Sequence, residues 1–178
     1  MHQQDRVGRT PSSGGVPDVR NSWVLLAAVA VVSLGGAVVY AMAGETSPVI
    51  ALYFLLGSGG VAALGFWWFS THPPAMRGPR WAYYAVVIGL IGGAFGAGGI
   101  PGTRAVGAWI VVGVGFVAFG ALERSGLIAT AGGVTAVAGV VGLVLAVPAL
   151  GVWLELFTAA VFGLTAAILR TQRPLFEK

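Results

Sequence analysis

The sequence predicts an all-α membrane protein of six transmembrane helices with both termini on the inner side, and three observations carry that expectation. Six apolar stretches of about 18 to 22 residues follow Asn21, each long enough at about 1.5 Å per residue to cross a hydrocarbon core of about 30 Å. Nine of the ten Lys and Arg residues fall on one side of the zigzag that these stretches imply. The chain is 57% hydrophobic and only 9% charged, with a mean hydropathy of +0.87, whereas a soluble domain is about 25% charged. A water-facing fold could not cover that much apolar surface.

Residues 1–21 are expected to form a disordered cytoplasmic tail, because Gly8, Pro11, Ser12, Ser13, Gly14, Gly15 and Pro17 leave too little apolar surface to offset ordering entropy. Asn21 and Ser22 cap the first span, 23–43, which breaks at Gly44, Glu45 and Pro48. Arg20, the apolar run and Ala41-Met42-Ala43 also resemble a signal peptide. The run is longer than the usual apolar region of about 7 to 15 residues, so a first span is the reading kept.

The second span, 49–69, ends in Trp67 and Trp68 and gives way to a loop whose prolines Pro73, Pro74 and Pro79 stop any helix. The third, 81–98, starts at Trp81. The fourth, 105–122, closes at Glu123 and Arg124, the fifth covers 126–147, and Pro148 opens a sixth over 150–169. The membrane domain thus spans 22–170 and leaves a short cytoplasmic tail, 171–178.

Alternating the loops places Arg6, Arg9, Arg20, Arg77, Arg80, Arg124, Arg170, Arg173 and Lys178 on one face and Arg104 alone on the other. Short basic loops stay cytoplasmic, which orients the chain in a cell membrane, expected to be prokaryotic. Trp23, Trp67, Trp68, Trp81, Trp109 and Trp153 all lie near predicted span ends, where an indole meets headgroups.

Pro48, Pro101 and Pro148 each open an even-numbered span, where a missing N–H does no harm, and the chain reads as three hairpins of about 47 to 53 residues. The abundance of Gly, Ala and Val also produces recurring small residues at any spacing, so a repeat and a chance pattern are both consistent with the sequence. Short glycine-rich hairpins with a proline near a helix start resemble the six-span membrane proteins of the HdeD acid-resistance type. The resemblance covers the spans and implies an architecture; no residue or activity comes with it.

Gly89, Gly92, Gly93 and Gly96 share one face of the third span, and Gly132, Thr135, Gly139 and Gly142 share one face of the fifth. In hydrocarbon, close backbone approach replaces hydrophobic drive as the main attraction between helices, so both faces are expected to pack inside the chain. A seam with a second copy or another membrane protein is the less common use. The bilayer is the other expected partner. Nucleic acid is not expected: despite a net charge of +4, the basic residues form no continuous stripe.

Glu155 is the one ionisable residue clearly inside a span, and an acid there costs about 2.5 to 3.5 kcal/mol at mid-depth. Thr158 and Thr165 fall close to the same helical face. Two readings follow. A carboxyl followed by hydroxyls suits a proton or cation pathway; alternatively Glu155, about 10 Å along the helix from Pro148, reaches the outer headgroups, the reading the lack of a basic intramembrane partner favours. Arg104 is expected to pair on the outer face with Glu45 or Glu155.

No catalytic, metal or cofactor motif emerges. The chain has no cysteine. Gly57-Ser58-Gly59 lacks a base, since His2 lies in the tail and His72 in a loop. The glycine-rich run at 96–102 joins two membrane helices and follows no strand, which excludes a dinucleotide loop. Arg77 and Arg80 read first as a topology signal and second as ligands for anionic lipid. The expected role is that of a structural or accessory membrane protein, not an enzyme, with a small transporter or channel as the alternative.

Overall fold

The computed structural model describes residues 19–44, 46–72, 77–99, 106–145 and 149–171. A 3-10 turn, Val19–Ser22, leads into six helices among the described residues: α1 (Trp23–Ala43), α2 (Pro48–Thr71), α3 (Arg80–Gly99), α4 (Gly107–Leu122), α5 (Gly126–Leu145) and α6 (Leu150–Thr171). Five are long and apolar enough to cross a membrane, and α4 is a shorter apolar helix. This is the architecture of a helical membrane protein.

Local chemistry sets the helix ends. Ser47 caps α2 by accepting from the Val49 N–H at 3.3 Å, with Pro48 in the first turn where no donor is needed. Gly44 ends α1 at φ 79°, a left-handed conformation glycine adopts without steric cost, and its N–H reaches the Tyr40 carbonyl at 3.1 Å.

Between α4 and α5 the Ser125 N–H donates to the Gly120 carbonyl at 2.8 Å and the Arg124 N–H to Ala121 at 3.1 Å. This pair of bonds is a Schellman turn, with Arg124 at φ 53° in the position glycine usually fills. Ser125 then caps α5 through Ile128, 3.4 Å away.

Helix α1 packs on α6 and α2, α4 packs on α5 and α3, and α5 touches α6. The two closest pairs, α4 with α5 and α1 with α6, therefore join helices from different predicted hairpins. Both are antiparallel. Along α1 and α6, Trp23 meets Arg170, Ala30 faces Gly163, Gly36 faces Glu155 and Tyr40 faces Gly151.

Leu26, Phe116, Ile128, Ala131, Phe162, Ala166 and Leu169 form one apolar core across α1, α4, α5 and α6. Tyr40, Ile50, Val106, Trp109 and Leu154 form a second toward the other end. Trp109, expected at headgroup depth, is instead buried with its ring centroid 6.0 Å from that of Tyr40. Its indole fills space between helices that hydropathy alone does not reveal.

Helices α2 and α3 are peripheral. Only Ile50 and Gly65 are buried on α2, and α3 has no buried residue among those whose side chains are described. Their exposed Leu52, Leu56, Phe66, Ile88 and Phe95 are the side chains an apolar solvent would cover.

Candidate functional site

Glu155 lies on the face of α6 that meets α1, and it is 3% exposed. The expectation that it reaches the outer headgroups is not met: its carboxyl turns into the protein. Gly36 makes the room. A Cβ built there would come within 3.2 Å of the Glu155 carboxyl carbon and 2.7 Å of the Phe54 ring. The carboxyl is hydrogen-bonded with the hydroxyl of buried Ser33, one turn earlier on α1.

Tyr53 of α2 closes a third side, within electrostatic reach of Glu155. Its hydroxyl donates to the Val32 carbonyl at 2.8 Å, crossing α1 where Gly35 carries no side chain to block it. The Gly35-Gly36 pair thus admits one polar group from α2 and one from α6 to the same stretch of helix.

Thr158, one turn beyond Glu155 on α6, is 2% exposed, and its Oγ1 has no hydrogen-bond partner among the described residues. That sets it apart from Thr135 and Thr165. Each of those donates to the carbonyl four residues earlier, Ala131 at 3.0 Å and Val161 at 2.8 Å, as helical threonines in apolar surroundings do. Glu155 and Ser33 therefore supply a carboxyl and a hydroxyl to the α1–α6 interface, and Thr158 adds a buried hydroxyl one turn along α6. Thr165 does not join them: it lies about 15 Å along the helix from Glu155, with fully buried Phe162 between them, 4.5 Å from Phe116 by ring centroid.

The predicted outer-face pair cannot be placed, since Glu45 and Arg104 lie outside the described residues. The two predicted packing faces differ from each other. On α5 a Cβ at Gly132 would meet the Gly113 carbonyl at 2.6 Å, one at Gly139 the Ile110 N at 3.1 Å, and Thr135 and Gly142 are buried beside them. On α3 only Gly93 meets a neighbour, Val111; Gly89, Gly92 and Gly96 face open space. The α3 face is thus not the intrachain seam expected of it, because α3 approaches α4 on a different side.

The sequence marks Glu123 only as the acid that closes α4. It is fully buried, accepts from the Tyr83 hydroxyl at 2.6 Å on Oε1, and leaves Oε2 without a partner among the described residues. An acid beside an arginine at a helix end looks solvated in sequence, whereas here Tyr83 of α3 reaches it. Among the described residues no three His, Asp or Glu side chains gather as metal ligands would.

A carboxyl held with hydroxyls in an apolar interior can take up and release a proton, or offer oxygens to a small cation. Compared with known proteins, the chain matches no family model, no curated protein and no solved structure.

Proposed function

We propose that this chain is a small, non-enzymatic multi-pass protein of a prokaryotic cell membrane, with both termini cytoplasmic, that moves a proton or small cation by way of Glu155. One observation carries the reading: the Glu155 carboxyl sits between α1, α2 and α6 with the Ser33 hydroxyl as partner, when an acid serving only as a headgroup anchor would be exposed. An unpartnered, buried hydroxyl at Thr158 lies one turn along α6 from the carboxyl. The orientation rests on the charge bias of the loops, to which Arg77, Arg80, Arg124 and Arg170 contribute. The compartment and the three-hairpin repeat rest on sequence alone.

Proteoliposomes test the transport. Proton or cation flux that Glu155→Gln abolishes, with folding intact, is the expected result. Wild-type protein without flux under any ion or pH gradient removes transport from the reading.

A structural or accessory role is the second reading, favoured by the open small-residue faces of Gly59 and Gly60 on α2 and Gly89, Gly92 and Gly96 on α3. Such faces suit close contact with another membrane helix. Crosslinking from cysteines placed on them, absent when the same cysteines are buried in the α4–α5 seam, would support it.

A further inference from the structure

The end of the bundle where α1 begins and α2 and α6 finish carries an aromatic ladder that the transport reading does not use. Arg170, exposed in the last turn of α6, holds its guanidinium carbon 5.1 Å from the centroid of the Trp23 ring. Trp23 stands edge-on to Trp68, with centroids 6.1 Å apart and planes at 75°. Trp68 in turn stacks on exposed His72 at 3.9 Å and 6°. The Trp68 Nε1 donates to the Asn21 carbonyl at 3.0 Å, which ties the 3-10 turn to α2 and fixes both indoles. Arg170 is therefore held in place before anything binds it.

Among the described residues, the exposed charge at this end is of one sign. Arg77, Arg80 and Arg124 lie at the same end, as the contacts of Tyr83 with Glu123 and of Gly78 with Leu122 require. The one acid described there, Glu123, is fully buried. A guanidinium lying over an indole keeps its N–H edge directed outward, and that edge matches two phosphate oxygens at once. Indoles favour the depth at which lipid phosphates lie.

We infer that Arg170, held on the Trp23–Trp68–His72 ladder, is a binding site for the phosphate of an anionic phospholipid. The bound lipid would brace α1, α2 and α6 together at that end. Zwitterionic lipid offers the same phosphate with a cation attached, which the Arg170 guanidinium itself repels, so the site discriminates by net charge.

Native mass spectrometry of the full chain, given equal phosphatidylglycerol and phosphatidylcholine, tests the inference. Wild-type protein is expected to retain the anionic lipid over the zwitterionic one by about fivefold. Arg170→Gln should bring the two to near equality, while the double change Arg77→Gln and Arg80→Gln should leave the preference in place. No preference in the wild type, an unchanged preference in Arg170→Gln, or its loss in the double variant would each overturn the site. If Arg170→Gln does not fold, tryptophan quenching in the wild type decides: stronger quenching by brominated phosphatidylglycerol than by equally brominated phosphatidylcholine supports the site, and equal quenching overturns it.

Discussion

The Tyr83 hydroxyl donates to the Glu123 carboxyl over 2.6 Å and so joins the start of α3 to the turn between α4 and α5. It is the only hydrogen bond given to that carboxyl among the described residues, and the other oxygen has none. Tyr83→Phe therefore leaves a fully buried acid with no partner. The expected cost is about 1 to 3 kcal/mol, read as a lower midpoint of detergent-induced unfolding in bicelles. Adding Glu123→Leu should restore part of the loss, since removing both partners costs less than removing one. A Tyr83→Phe variant as stable as wild type would show the bond to contribute nothing.

Arg124 occupies the left-handed position of a Schellman turn at φ 53°. A side chain there costs about 1 kcal/mol relative to glycine. Arg124→Gly should raise stability by about 0.5 to 1 kcal/mol, measured the same way. Destabilisation would mean that the arginine side chain makes a contribution larger than its backbone strain.

Gly132 and Gly92 look alike in sequence, and the structure separates them. At Gly132 a Cβ meets the Gly113 carbonyl and the backbone of Phe116 and Val117, none of which can give way without moving α4. Gly132→Leu should abolish folded monomer. Gly92→Leu, which projects into open space, should give near-normal monomeric yield on size-exclusion chromatography. Equal effects from the two would contradict the α4–α5 seam.

Ser33→Ala removes the hydroxyl from Glu155 and leaves the packing of α1 on α6 otherwise intact. A loss of about 1 to 2 kcal/mol is expected, together with slower flux if the transport reading holds. Ser33→Thr, which keeps the hydroxyl, should lose less. Identical behaviour of the two variants would mean that the hydroxyl does not serve the carboxyl.

Several features are legible in the sequence alone. The first span, 23–43, coincides with α1, and the others match their helices to within a few residues at each end. Hydropathy and proline positions suffice there because a helix in hydrocarbon must satisfy its own backbone, whatever its neighbours do. The small-residue stripe on α5 was visible for a similar reason: it is a property of one helix. The matching stripe on α3 misled, since a stripe shows that close approach is sterically open without showing which helix makes it.

The site around Glu155 was half legible. The acid and Thr158 stand out as polar residues in an apolar run, but Ser33, Gly35, Gly36 and Tyr53 come from other helices and look ordinary in sequence. Glu123 was hidden for the opposite reason, because a charged residue at a helix end needs no explanation until a third helix covers it.

By itself, then, the sequence determined six apolar helices and their approximate limits, which follow from the local balance between hydrocarbon and water. Tertiary structure alone decided that α1 pairs with α6 and α4 with α5, that α2 and α3 stay outside, and that Glu155 turns inward to Ser33. Those choices depend on which backbones can approach within van der Waals contact, and between helices that are equally apolar, hydropathy does not distinguish one partner from another.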